Sequence, residues 1–131
     1  MYTDAEKAIA YFETVKVRFE DAIAADTEAV IALTAAETEL TEAIAAEAAA
    51  ALAASETPSD MASTALALAT ERAVAARESV QELRTAATQT QNVVGTMTAV
   101  RYDAERAAFI AESLLRSRAH RITENPPADN L

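Results

Sequence analysis

The sequence predicts an all-α fold, a long antiparallel helical hairpin or two-helix coiled coil that packs into a larger helical bundle. The chain of 131 residues contains one glycine and three prolines, and alanine supplies most of the 51% of residues that are apolar. Apolar residues recur every seven positions along two long segments, which is the spacing of helices that pack side by side. Between these segments, "SETPSD" contains residues that end one helix and begin the next.

The first helix is predicted from about residue 3 to residue 55. Thr3 and Glu6 have the spacing of a capping box, in which side chains accept hydrogen bonds from unpaired backbone N–H groups. The run "AIAAEAAAALAAS" favours a helix over a flexible linker, because alanine is the best helix former. The same run contains Glu47 and is shorter than the roughly 20 apolar residues of a membrane span. It is therefore predicted to be the last part of a helix before a turn.

Helix 1 has three adjacent columns of residues at seven-residue spacing, one small and apolar and two mostly large and apolar with polar interruptions. The small column is Ala8, Val15, Ala22, Ala29, Ala36, Ala43 and Ala50. The second column is Ile9, Lys16, Ile23, Val30, Glu37, Ile44 and Ala51. The third is Ala5, Phe12, Phe19, Asp26, Leu33, Leu40, Glu47 and Ala54. A single partner helix needs two columns, so three columns predict contact with more than one neighbouring helix.

The second helix is predicted from about residue 58 to residue 123, after a turn at residues 55–58. Thr57 is predicted as its N-cap, Pro58 as its first residue and Asp60 as a favourable acid in its first turn. The prolines of "ENPPADNL" cannot continue a helix, so residues 124–131 are predicted to form a loose tail. The whole chain, residues 1–131, is predicted to be a single helical-hairpin domain.

Helix 2 has one seam of two columns that is predicted to face helix 1. Its members are Leu66, Ala69, Ala73, Ala76, Val80, Leu83, Ala87, Thr90, Val94, Met97, Arg101, Ala104, Ala108, Ala111, Leu115, Arg118 and Ile122. The weak place is "TQTQNVVG", residues 88–95, where poor helix formers precede the only glycine. Because the seam keeps its phase through this stretch, a continuous helix is predicted, with a bend near Gly95 as its expected irregularity.

Folding the chain back at about residue 57 predicts which residues face each other. A residue i lies near residue 115 minus i, so Asp26 is predicted to lie opposite Gln89 and Thr90. A polar layer of this kind fixes the register of two helices at some cost in stability. The same rule places the phenylalanines of helix 1, Phe12 and Phe19, against Tyr102 and Met97.

The end of helix 2 is the predicted partner-docking site. Because helix 2 is longer, "SLLRSRAHRI", residues 113–122, is expected to extend beyond the start of helix 1, with its apolar side chains exposed beside arginines. The candidate residues are Leu114, Leu115, Arg116, Arg118, Arg121 and Ile122. The tyrosines Tyr2, Tyr11 and Tyr102 are read either as residues at the edge of the core or as part of a partner surface.

Composition argues against several classes of function. The formal net charge of −10 disfavours binding to nucleic acid or to an anionic membrane surface. The chain has no cysteine and one histidine, His120, which is expected to be a solvated surface residue. There is no nucleophile with a base, no phosphate-binding loop and no metal-ligand pattern. The sequence therefore predicts no enzyme activity, no cofactor and no metal.

The predicted function is that of a non-enzymatic structural or assembly protein, a helical subunit of a multi-subunit complex such as a virion or a tail or neck particle. Its expected partners are itself, as a homo-oligomer, other assembly proteins, or both. The alternative is an acidic adaptor or regulatory module that works as a four-helix-bundle dimer. An amphipathic coat on a lipid or polymer surface is the third interpretation. No signal peptide or transmembrane segment is recognised, so a cytoplasmic or particle location is expected.

Overall fold

A computed structural model describes the backbone of residues 3–124 and the side chains of residues 3–121. It contains two helices, α1 (Asp4–Glu56) and α2 (Asp60–Glu124), which pack against each other, and the described residues contain no strand. The predicted all-α helical hairpin is confirmed. Glu124, assigned to the tail by the sequence, is the last helical residue, and the rest of the predicted tail, residues 125–131, lies outside the described residues.

α1 begins at a side-chain cap. The backbone N–H of Glu6 donates to Thr3 Oγ1 at 3.2 Å, and the N–H of Lys7 donates to the Thr3 carbonyl at 3.0 Å. Thr3 therefore satisfies donors of the first turn that have no partner inside the helix. Asp4 and Glu6 also place negative charge at the positive end of the helix dipole.

The cap of α2 differs from the prediction. The N–H of Thr57 donates to the carbonyl of Ala53 at 2.9 Å, so Thr57 closes the last turn of α1. Ser59 is the N-cap instead: its Oγ accepts a hydrogen bond from the N–H of Ala62 at 3.0 Å. Thr57 was the wrong N-cap because its backbone completes the first helix. α2 consequently begins at Asp60, two residues later than predicted.

α2 is one uninterrupted helix through the weak stretch at residues 88–95. Gly95 has no positive φ, is exposed, and a Cβ added to it would meet no atom within 4 Å. The glycine therefore breaks neither the helix nor the packing. The continuity predicted from the seam is confirmed.

The chain divides into two compact units, each containing a piece of both helices. One unit is Met1–Ile23 with Asn92–Leu131, and the other is Ala24–Gln91. We call them the terminal unit and the turn unit. Whether the chain behaves as a single domain, as the sequence predicts, stays a prediction.

The cores of both units are made mainly of alanine. The terminal unit buries Val15, Ala22, Ala104, Ala108 and Ala111. The turn unit buries Ala43, Ala73, Ala76 and Val80, with Leu40 packed against the alanines. Small side chains let the backbones of two helices approach closely, but each one removes little apolar surface from water.

The seam predicted on α2 is confirmed from Leu66 to Leu115, because every member in that stretch is buried or half-buried. On α1 the small column and the third column are also buried or half-buried throughout. The second column differs: Ile23, Val30 and Ile44 are exposed. Within this chain α1 therefore packs through its small column and its third column. Much of its second column is left in contact with solvent.

Candidate interaction surfaces

A side-chain hydrogen bond links the helices at the seam of the turn unit. Thr90 Oγ1 donates to Asp26 Oδ1 at 2.8 Å, and it also lies 2.9 Å from the carbonyl oxygen of Ala87. Both Asp26 and Thr90 are half-buried. The predicted polar layer thus exists between Asp26 and Thr90, whereas Gln89 is exposed.

Ion pairs flank the seam in the turn unit. Arg72 Nε and Nη2 both lie 2.8 Å from Glu39 Oε1, and Nη2 lies 3.8 Å from Glu42 Oε2. Arg84 Nη2 lies 3.8 Å from Glu37 Oε1. Because these side chains are about half exposed, each pair stabilises the fold by only about 0–1 kcal/mol. These pairs place positively charged arginine side chains of α2 beside the acidic side chains of α1.

The two phenylalanines of α1 have cationic neighbours. Arg101 stacks on Phe19 with its guanidinium carbon 4.8 Å from the ring centre, and Lys16 lies 5.4 Å from the ring centre of Phe12. The predicted packing of Phe12 and Phe19 against Tyr102 was wrong for the tyrosine, which is 64% exposed. Tyr102 follows the seam residue Arg101 directly, so the helical rotation of about 100° per residue turns it away from α1.

The predicted docking residues on α2 have mixed environments. Leu114, Arg116, Arg118 and Arg121 are exposed, but Leu115 is half-buried because it is a seam position. The prediction that Leu115 is exposed was therefore wrong. Arg116 Nη2 donates to Ser113 Oγ at 3.4 Å, and Arg121 Nε donates to the Ser117 carbonyl at 3.5 Å. The side chain of Ile122 lies outside the described residues.

Several large exposed apolar side chains of the terminal unit lie on α2. We define the aromatic face as Tyr102, Phe109, Ile110 and Leu114, which are 64%, 65%, 50% and 60% exposed. A surface depression of about 350 Å³ is lined by Tyr102, Glu105, Arg106 and Phe109. Tyr102 and Leu114 were singled out from the sequence, whereas Phe109 and Ile110 were not. Their seven- and eight-residue separation from Tyr102 was a readable signal for a shared side of the helix.

A second surface depression of the terminal unit lies between the helices. It has a volume of about 320 Å³ and is lined by Ala8 and Tyr11 of α1 and by Val100, Asp103, Ala104 and Ala107 of α2. Its walls are mostly methyl groups, with one aromatic ring and one carboxylate. This lining suits an apolar side chain of another molecule and offers no set of groups for catalysis.

The turn unit also exposes large apolar side chains on both helices. On α1 these are Val30, Ile31, Ile44 and Leu52, and on α2 they are Met61, Leu68 and Val74. A depression beside the turn is lined by Asp60, Met61, Thr64, Ala65 and Leu68. Exposed apolar residues are therefore a property of both units.

The described residues contain no group of three or more His, Asp or Glu side chains placed to hold a metal ion. Over the same part of the chain, no helical stretch combines the length and the apolar character that crossing a membrane requires. His120 is exposed near the end of α2.

Comparison with known proteins adds no assignment: no family model, no curated protein and no solved structure matches the chain.

Proposed function

We propose that this protein is a non-enzymatic assembly subunit, located in the cytoplasm or within a particle, that acts by packing its helices against those of neighbouring subunits. The kind of complex we propose is a multi-subunit one such as a virion or a tail or neck particle. The observation that carries the proposal is the distribution of apolar side chains. Among the side chains that the structure describes, seven of the nine buried apolar residues are alanines, whereas fifteen large apolar residues are exposed.

Physical chemistry makes this distribution unusual for a chain that works alone. Burying a Val, Leu, Ile, Phe or Met side chain fully contributes about 1.5–3 kcal/mol, and most of these side chains make no such contribution here. Scattered exposed apolar residues are normal, but groups of them on one side of a helix mark interaction sites. Packing against further helices would bury them, as in helical bundles.

The predicted docking end of α2 remains part of this proposal. Leu114 is exposed, with Arg116, Arg118 and Arg121 near it, and arginine is enriched in protein interfaces. Ile122 belongs to the same stretch of sequence. We propose that this end contacts a neighbouring subunit.

The test is the mass of the purified chain, measured by size-exclusion chromatography with light scattering at low and at molar salt. We expect a discrete oligomer at both salt concentrations, because apolar packing does not depend on attraction between charges. A helical monomer under both conditions would contradict the proposal that the chain assembles with itself.

An acidic adaptor is the second candidate function. Residues 24–60 contain eight acidic residues and no basic residue, and the ion pairs with Arg72 and Arg84 involve Glu37, Glu39 and Glu42. An acidic surface of this kind would bind a basic partner. Such binding would weaken as salt is added, because exposed charges are screened beyond about 8–10 Å at physiological ionic strength. Apolar assembly would persist, so salt separates the two functions.

A further inference from the structure

We propose that the end of α2 in one copy of the chain docks into the depression beside the turn of a second copy, in a head-to-tail contact. This inference rests on the proposed function and names the two surfaces through which neighbouring subunits meet. The docking surface, which we call the basic end, consists of Leu114, Arg118 and Arg121. The receiving surface, which we call the turn depression, has a volume of about 410 Å³ and is lined by Asp60, Met61, Thr64, Ala65 and Leu68.

The basic end forms one side of α2. At about 100° per residue, Arg118 and Arg121 both lie within about 40° of Leu114 around the helix. All three side chains are exposed, and Leu114 is 60% exposed. Arg116 lies about 160° around the helix from Leu114, so it is not part of the basic end. The surface thus combines one apolar side chain with two positive charges.

The turn depression combines apolar side chains with negative charges. Met61 and Leu68 are 85% and 61% exposed, and their seven-residue separation places them on the same side of α2. Asp60 lines the same depression, and Glu71 follows Leu68 by three residues, which makes the two neighbours on the helix surface. The steps from Met61 to Leu68 and from Leu114 to Arg121 each cover about 10 Å of helix, so the two surfaces match in length.

Charge complementarity identifies the basic end of a second copy as the occupant. Residues 47–71 contain four acidic residues and no basic residue, whereas residues 113–121 contain three arginines and no acidic residue. Within the described part of the chain, none of Asp60, Glu71, Arg118 and Arg121 forms an ion pair. Two turn depressions, or two basic ends, would bring like charges together, and that costs binding energy. The head-to-tail contact brings opposite charges together.

The contact has to join two copies. Both surfaces lie on α2, which is one uninterrupted helix, so one copy cannot bring them together. Because the two surfaces differ, the contact is heterologous, and each copy offers one of each kind. Repeating it produces a row of subunits or a closed ring. The attraction between exposed charges is screened by salt, so this contact adds a salt-sensitive link to the apolar packing proposed above.

Mixing two variants of the full chain tests the head-to-tail arrangement. R118E/R121E reverses the basic end and keeps the turn depression, whereas L68K/E71K places positive charge at the turn depression and keeps the basic end. Light scattering at low salt should give each variant a lower mass than the wild type. An equimolar mixture should contain a species heavier than either variant forms alone, because each supplies the surface that the other lacks. Circular dichroism would verify that both variants remain helical.

The matched control is R77E/R106E, which reverses two exposed arginines of α2 outside the basic end. It changes the net charge by the same amount as R118E/R121E and should keep the wild-type mass at low salt. The dissociation constant of the head-to-tail contact should rise by at least about 10-fold in R118E/R121E, because like charges then meet. Molar salt should likewise lower the mass of the wild type and of the control variant.

Cross-linking supplies a readout that does not depend on affinity, because the natural chain has no cysteine. A mixture of Leu68→Cys and Leu114→Cys chains should form a mixed disulfide under mild oxidation, since the contact brings the two positions together. A mixture of Val93→Cys and Leu114→Cys chains is the control, because Val93 is also about half exposed but lies outside both surfaces. It should give little product.

The outcomes separate the two proposals. An oligomer with the same mass in the wild type and in both variants, without the mixed disulfide, overturns the head-to-tail contact and leaves the assembly function standing. A wild-type chain that is monomeric at every concentration and salt overturns both. Disulfides between two Leu114→Cys chains in the same yield as the mixed product would overturn the head-to-tail arrangement, because like surfaces would then meet.

Discussion

Thr90 is the residue whose hydroxyl group joins the two helices within the otherwise apolar seam of the turn unit. Its partner Asp26 occupies a seam position of α1 where an apolar residue would contribute more stability. The 2.8 Å hydrogen bond satisfies the carboxylate in one alignment of the helices, and a shift by one heptad would bring Asp26 against Leu83 or Met97 instead. A polar seam residue of this kind selects register.

Replacing Thr90 by valine keeps the shape of the side chain and removes the hydroxyl group. We expect the free energy of unfolding to fall by about 1 kcal/mol, because the half-buried carboxylate of Asp26 loses its donor. Urea denaturation measures this change. The control is Thr98→Val, whose exposed hydroxyl donates to Val94 within the same helix at 2.7 Å. Equal effects of the two substitutions would show that the contact with Asp26 does not matter.

Arg101 is a second polar residue in the seam, and its environment is unfavourable. Its Nε is buried without a hydrogen-bond acceptor, while its guanidinium group stacks on Phe19. A buried donor without a partner costs about 1–3 kcal/mol, whereas a cation–π contact contributes about 0.5–1 kcal/mol. The cost is the larger of the two.

Arg101→Met is therefore expected to raise the free energy of unfolding by about 1 kcal/mol, since methionine fills a similar space without a polar atom. Urea denaturation measures the effect, with Arg77→Met at an exposed position as the control. A decrease in stability for Arg101→Met would mean that stacking on Phe19 outweighs the buried Nε.

Local hydrogen bonds at the helix ends decide where each helix begins and ends. Thr3 and Ser59 cap α1 and α2, and Thr57 completes the last turn of α1. Both Thr57 and Ser59 are good capping residues by type, and serine ranks slightly above threonine. The choice between them depends on how far the first helix runs.

Ser59→Ala is expected to lower the free energy of unfolding by about 1 kcal/mol, because the N–H of Ala62 loses its acceptor. Thr57→Ala is expected to lower it by less than about half that amount, because a surface position without a cap changes stability little. Thermal unfolding followed by circular dichroism compares the two. A larger effect at Thr57 would place the cap where the sequence first suggested it.

The net negative charge of the molecule opposes folding, because like charges repel one another. Of the net charge of −10, all comes from residues 1–60, because residues 61–131 contain eight acids and eight bases. Exposed ion pairs such as Arg72 with Glu39 offset only part of this repulsion. Net charge far from zero destabilises the folded state through self-repulsion.

Added salt is therefore expected to stabilise the protein. Raising the ionic strength from about 0.01 M to 0.15 M shortens the screening length from about 30 Å to about 8 Å, and we expect the melting temperature to rise by roughly 4 °C. A variant with Glu20→Gln and Glu28→Gln should show a smaller rise, because it has less repulsion to screen. A fall in melting temperature with salt would show that the ion pairs of Arg72 and Arg84 dominate instead.

The helices, the turn and the seam could be predicted from the sequence, because these features depend on near neighbours in the chain. Alanine content, the cap at Thr3 and the seven-residue spacing act over a few turns of helix, and the seam from Leu66 to Leu115 follows from them. Even the contact between Asp26 and Thr90 was predictable, since both interrupt a seam at matching distances from the turn.

The set of apolar residues that are buried could not be predicted in the same way, because it depends on how the two helices pack. The columns of α1 are similar in the sequence, but contact with α2 leaves Val30 and Ile44 exposed while it partly covers Leu33 and Leu40. The packing of the two helices likewise leaves Tyr102 and Phe109 exposed and Leu115 half-buried. Burial depends on the direction from which the second helix approaches. A small rotation of that direction changes which side chains are exposed, but it leaves the seven-residue pattern of each helix unchanged.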